Sequence, residues 1–373
     1  MKKKIQWSQI LGGFITALVG FGCGILLVQS PHPIPSDNSW VRIMWIIGLL
    51  AVLYIATIIH MIIHEAGHLL FGHITGYRFN SFRILSFMWI KDGEHIRMRR
   101  LSIPGTGGQC LMSPPDMVDG KIPVILYNLG GSLANIFTGC LFLASYFLLI
   151  SVPFLGSVML IFSLVGLIFG ILNGVPMRLG TVDNDGYNAY SLTRTPKAMQ
   201  AFWIQMKVNQ EISKGSRLRD MPDEWFQFPT DDELKNSMVA VVGVFSCNRL
   251  MDQHNFTQAK DQMKHMLNIE SGMVGIHRRM MICDRLYLEL IGKNRPDILK
   301  RFLSPQQQKF MQSMKAFPSV LRTQYAYCSL SLNDSSKAQE ILKQFDKVAT
   351  VYPYPNEIEA ERELIQVVNN KLQ

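Results

Sequence analysis

Four stretches of this 373-residue sequence, residues 10–28, 43–63, 122–150 and 154–177, contain no lysine, arginine, aspartate or glutamate. A soluble core helix rarely stays uncharged over that length. About 20 apolar helical residues cross a hydrocarbon core of about 30 Å, so each stretch is expected to span a membrane. The six cysteines include no C-x-x-C pair, which excludes a disulfide framework or zinc ribbon and leaves them as small apolar fillers in a reducing compartment. No stripe of basic and aromatic residues accompanies the net charge of +9, so nucleic acid is not an expected partner. The glycine-rich residues 104–109 lack the Gly-Lys-Ser/Thr ending of a phosphate loop and read as a flexible connection. No small-residue cleavage site follows Val28, and the run after Lys2–Lys4 is long for a signal peptide, so the first stretch reads as an uncleaved anchor.

What charge there is lies unevenly. Lys2–Lys4 precede the first span. Arg78, Arg83, Lys91, Arg97, Arg99, Arg100 and Lys121 lie between the second and third, whereas residues 29–40 and the connection between the third and fourth spans carry no lysine or arginine. By the positive-inside rule both termini and the long middle connection are cytoplasmic, with Arg42 the one basic residue on the wrong side. Gly166, Gly170 and Gly174 in the fourth span, and Gly20 and Gly24 in the first, recur every four residues, a spacing that lets helix backbones approach closely.

The second span runs into His64-Glu65-Ala66-Gly67-His68, an H-E-x-x-H motif. Residues i and i+4 share one helix face, so both imidazoles reach a single zinc, and Glu65 stands beside them as the base for a metal-bound water. Titratable groups at membrane depth are costly, which favours a metal site over coincidence. His60, one turn earlier, is assigned to support or packing, because a fourth protein ligand would close a catalytic site; His73 is read as interfacial. The third ligand must come from elsewhere. Pro176 disturbs the end of the fourth span, and Asp183 and Asp185 follow at similar depth. Proximity alone does not choose between them. Asp185 has Gly186 behind it to allow a close backbone turn, whereas Asp183 suits a helix cap.

With these residues the chain resembles the site-2 proteases, intramembrane zinc metalloproteases that pair H-E-x-x-H with N-x-x-P and D-G on a later span. Here these are Asn173-Gly174-Val175-Pro176 and Asp185-Gly186, and residues 130–136, GGSLANI, are similar to the family's G-P-L-A-N stretch. Ser132 stands where proline is usual, and Tyr187 replaces a second glycine. The resemblance covers roughly residues 40–190. It implies one catalytic zinc held by His64, His68 and Asp185, Glu65 as catalytic base, and Asn135 and Asn173 positioning the substrate strand or an oxyanion. Asn135 has the alternative of an interhelical hydrogen bond.

Residues 77–114 follow Gly76, a helix stop, and alternate around Asp92-Gly93 as a β-hairpin. The resemblance makes it membrane-associated, with an edge able to add an extended substrate. After Pro196 the pattern turns amphipathic. Turn sites at residues 256–259, 295–298 and 335–338 recur at helical-repeat spacing, which predicts a tetratricopeptide-like array able to bind a cytoplasmic protein partner. The expected fold class is mainly α: a polytopic membrane protein of about four transmembrane helices with that hairpin, residues 1–195, and a cytoplasmic helical domain, residues 196–373. The expected function is a zinc endopeptidase cleaving membrane-bound substrates in or near their transmembrane segments. The competing class is an inactive membrane adaptor, which an intact Glu65 disfavours; a metal transporter would need polar residues spread through the spans.

Overall fold

A computed structural model of the protein describes residues 38–103, 106–177 and 183–373. The expected first span, with Gly20 and Gly24, lies outside the described residues. Two compact units form. One combines the described residues up to Tyr77 with Pro123–Arg194, the other Arg78–Ile122 with Thr195–Gln373. The expected division near residue 195 is linear, whereas the segment from Arg78 to Ile122 groups with the tail.

The first unit holds three helices long and apolar enough to cross a membrane among the described residues. Helix α1, Ser39–Ile74, is capped by Asn38, whose side chain accepts from the Trp40 N–H at 2.9 Å. Its 36 residues rise about 54 Å, well beyond a hydrocarbon core, so the helix overshoots the expected 43–63 and carries the H-E-x-x-H motif without a break. It stops at Gly76, which takes φ +91°, while the Tyr77 N–H turns back to Gly72 O at 3.0 Å. Helices α2, Val124–Leu148, and α3, Pro153–Gly174, lie close to their expected bounds. Helix α3 ends before Val175-Pro176 because proline disfavours helical backbone in the residue ahead of it. A short helix α4, Asp185–Arg194, completes the unit.

The second unit begins with a sheet. Strands β1 Arg78–Ile84, β2 Phe87–Asp92, β3 His95–Arg100 and β4 Gly108–Ser113 pair antiparallel in the order β3-β2-β1-β4. The expected turn is present between β2 and β3, where Gly93 takes φ +61°. The expected lone hairpin is corrected: β1 pairs with both β2 and β4, a long-range partnership that no local turn signal announces. Gly108 and Gln109, assigned from sequence to a flexible connection, belong to β4 and pair with Ile84 and Arg83. Arg83 is buried, donating to Leu85 O, Thr106 Oγ1 and Gly108 O, so this charge closes the sheet end.

Nine helices follow: α5 Pro196–Ser213, α6 Ser237–Asp252, α7 Phe256–Asn268, α8 Gly275–Leu290, α9 Pro296–Phe302, α10 Pro305–Ser313, α11 Pro318–Leu330, α12 Ser335–Ala349 and α13 Pro355–Asn369. The three turn sites read from sequence coincide with the starts of α7, α9 and α12. Each is preceded by one residue in the left-handed region, His254, Asn294 or Asn333, a recurrent way of reversing the chain between helices. The core beneath them includes Met263, Met266, Tyr287 and Phe345. Met88, Ile90 and Leu101 from the sheet segment join the same cluster, which is why that segment groups with the tail.

Candidate metal centre

Helix periodicity brings His60, His64 and His68 onto one stripe of α1, and close backbone packing buries it. A Cβ on Gly67 would stand 2.4 Å from Gly130 O, so α1 and α2 meet backbone to backbone there. Gly131 lies beneath the His64 ring, where a Cβ would fall 2.6 Å from Cε1. A Cβ on Gly186 would fall 2.2 Å from Gly174 O, so the start of α4 rests on the end of α3. These contacts carry Asp185, the first residue of α4, to the histidines.

His64 Nε2 lies 3.2 Å from His68 Nε2 and 3.0 Å from Asp185 Oδ2, and His68 Nε2 lies 3.4 Å from the same carboxylate oxygen. With zinc bonds of about 2.0–2.1 Å, two corners of a tetrahedron are about 3.3 Å apart. Two imidazole nitrogens and one carboxylate oxygen at this spacing fit three corners, leaving the fourth for water. They form the one group among the described residues with metal-ligand geometry. Asp183 is outside the group.

The far sides of both imidazoles are held. His68 Nδ1–H donates to Tyr127 O at 2.7 Å, which leaves Nε2 bare and able to accept a metal. Asn135, fully buried, lies with Nδ2 3.2 Å from His64 Nδ1 and Oδ1 3.1 Å from His60 Nδ1. A half-turn of its amide exchanges the two atoms and presents the oxygen to His64 Nδ1–H, the tautomer that leaves His64 Nε2 bare for a metal. Asn135 therefore makes interhelical hydrogen bonds to two histidines, and His60 takes the supporting place assigned to it. Glu65 is buried on the same turn, between His64 and His68 in sequence. Asn173 makes no hydrogen bond to the cluster among the described residues; its Nδ2 donates to Phe169 O of its own helix at 2.9 Å. His73 is exposed.

The cap assigned to Asp183 is corrected. Asn184 caps α4, its Oδ1 accepting from the Tyr187 N–H and the Met177 N–H at 2.9 Å each. Its Nδ2 donates to Leu172 O and Val175 O, satisfying carbonyls at the frayed end of α3. One side chain thus ties the end of α3 to the helix that delivers Asp185. Its signal in the sequence was an asparagine directly before a helix start. Tyr127 was unreadable, because it acts through a backbone carbonyl that any residue carries.

The family model described as Peptidase M50B-like matches residues 39–209. That segment belongs to the M50B-like peptidases, of the site-2 protease type. The match covers α1, the sheet, α2 to α4 and most of α5, and includes both the H-E-x-x-H and D-G residues. No curated protein and no solved structure matches the chain. Peptidases of this family are membrane zinc metalloproteases, in accord with three apolar helices and a His-His-Asp cluster.

Proposed function

We propose that this M50B-like peptidase is an intramembrane zinc endopeptidase that hydrolyses peptide bonds in or near transmembrane segments of membrane-bound substrates. The observation that carries the reading is the 3.0–3.4 Å cluster of buried His64 and His68 with the partly buried Asp185, and Glu65 on the same turn as the histidines. His64, His68 and Asp185 would hold the zinc ion, which when bound would supply an acidified water and polarise the scissile carbonyl. Glu65 takes the proton of the attacking water and returns it to the leaving amine. Tyr127 O and Asn135 hold the two imidazoles from behind with their Nε2 atoms 3.2 Å apart, where both would reach one ion. Asn135, already engaged with two histidines, supports substrate positioning only through them, and Asn173 would need to leave Phe169 O to contact substrate.

The basic residues between α1 and α2 support a cytoplasmic placement of that connection and of the helical tail. Phe87 and Trp89 on β2 and Ile96 and Met98 on β3 are exposed beside Lys91 and Arg100, a composition suited to a membrane interface. Strand β3 is a sheet edge able to add an extended substrate, which matters because a helical backbone must unwind before attack. The recurrent turns before α7, α9 and α12 support a tetratricopeptide-like tail that binds a protein partner.

The test uses full-length protein purified in detergent, with zinc measured by elemental analysis and cleavage followed on casein and on chains co-purifying with the inactive variant. Wild type is expected to hold about one zinc and to cleave. Glu65→Gln is expected to hold zinc and lose cleavage, because an amide cannot accept the proton. Wild-type cleavage by Glu65→Gln, or a wild-type protein that cannot hold zinc, overturns the reading.

A further inference from the structure

The tail contains a cavity of about 320 Å³ between α6, α8, α11 and α13, with an apolar wall that includes Met280 and Phe317. That is near the lower end of small-ligand sites, roughly 300–1,000 Å³. Its polar lining is unbalanced. Four carboxyl groups, Asp252, Asp284, Glu357 and Glu361, face two guanidiniums, Arg217 and Arg322, so acidic groups outnumber basic ones by two (4 − 2). Arg217 is taken by Asp252, and by Glu363 outside the lining. Arg322 bridges Asp284 at 2.6 Å and Glu361 at 2.8 Å. Glu357 has a hydrogen bond from Tyr352 Oη at 2.9 Å and no ion pair among the described residues. Burial, with Glu361 nearby, pushes its carboxyl up to about 7.

Two lining side chains more than nine-tenths buried carry polar atoms with no hydrogen-bond partner among the described residues: Arg322 Nη1 and Asn356 Oδ1. Nδ1 of His277, also in the lining, is a third such atom. Buried polar groups left unpaired are costly, and three around one cavity mark a place where a ligand completes the bonds. A free guanidinium N–H calls for an acceptor, a free amide oxygen for a donor, the surplus carboxylate for a cation, and the methionine and phenylalanine wall for an aliphatic stem. The aliphatic and aromatic wall at Met280 and Phe317 makes an organic cation, with a stem to lie along it, the fitting one.

We propose that this cavity binds a basic amino acid, lysine or arginine, free or as a residue of a peptide, with its carbonyl on Arg322, an N–H on Asn356 and its charged head at Glu357. The site is separate from the metal centre and does not depend on proteolysis.

The test is calorimetric titration of the full-length protein in detergent with five probes: acetyl-lysine methylamide, acetyl-arginine methylamide, free L-lysine, free L-arginine and acetyl-norleucine methylamide. The basic probes are expected to bind saturably, one per chain, and at least tenfold more tightly than the norleucine amide, which has the same stem without the charge. Tighter binding of the amides identifies a peptide as the source, and tighter binding of the free forms identifies the amino acid. Glu357→Gln, which retains an acceptor for Tyr352, is expected to weaken the basic probes at least tenfold and to leave the norleucine amide unchanged. Equal binding of lysine and norleucine amides by wild type, no binding of any basic probe, or undiminished binding by a folded Glu357→Gln protein overturns the proposal. The probe comparison on wild type stands even if the variant does not fold.

Discussion

Replacing Gly67 by alanine adds one methyl group where α1 and α2 touch. The new Cβ would lie 2.4 Å from Gly130 O, 2.7 Å from Ala134 Cβ and 2.8 Å from Gly130 C. Ordinary contact between carbon atoms is about 3.5–4.0 Å, so the shortfall is about 1 Å, and two of the obstructing atoms are backbone that cannot rotate aside. The helices must separate by a comparable distance. Gly67 is adjacent to His68, and α2 carries the Tyr127 carbonyl and the Asn135 amide that hold the two imidazoles, so separation loosens the ligand geometry directly. Overpacking costs about 1–3 kcal/mol, and weakening the groups behind metal ligands costs about 10–100-fold in affinity. The assay is zinc affinity by competition with a chromophoric chelator, on protein in detergent, with helicity checked by circular dichroism. Gly48→Ala is the control: it makes the same change in the same helix, where the nearest atom is Phe154 Cε2 at 3.9 Å, and it is expected to leave affinity unchanged. Gly67→Ala is expected to bind zinc at least tenfold more weakly. Equal affinities in the two variants would refute the claim that backbone contact at Gly67 sets the ligand geometry.

Three other outcomes follow from the same structure. Asp185→Asn is expected to strip zinc from a folded protein while Asp183→Asn retains it, by elemental analysis of purified variants; the reverse order would reassign the third ligand. Asn184→Ala removes a cap worth about 1 kcal/mol and also frees the Leu172 and Val175 carbonyls, so zinc affinity is expected to fall although no ligand is touched; chelator competition at wild-type level would show that α4 is held without it. In the tail, the Glu357 carboxyl is raised by burial to about 7 from an ordinary 4.5. A raised carboxyl costs stability as pH climbs from the lower value to the higher, because the unfolded chain ionises first. Glu357→Gln is therefore expected to match wild type near pH 4.5 and to unfold at higher temperature above pH 7, by up to about 3 kcal/mol, since each pKa unit is worth about 1.4 kcal/mol. Tryptophan fluorescence melts showing no pH-dependent difference would contradict it.

Local chemistry is what the sequence alone determined. Uncharged runs long enough for lipid mark α1, α2 and α3 because an unpaired charge at that depth is expensive whatever surrounds it. The face shared by His64 and His68 follows from helix geometry, and the ends at Gly76 and before Pro176, like the turn at Gly93, follow from backbone conformations that glycine and proline impose. The starts of α7, α9 and α12 were legible from turn sites that recur at helical-repeat spacing. Tertiary structure decided what depends on partners distant along the chain. Asp185 and Asp183 differ by two residues and were separable in the sequence only through Gly186 and a family resemblance. In the fold, the contact of Gly186 with Gly174 O and the bonds of Asn184 bring Asp185 to the histidines. Asn135 bonds to His60 and His64 because α1 and α2 pack backbone to backbone, which no pattern within α2 encodes. Strand β1 found β4 as well as β2, and Met88, Ile90 and Leu101 joined the core of the tail, since strand pairing and apolar burial are settled by which surfaces meet and leave little trace in either segment alone.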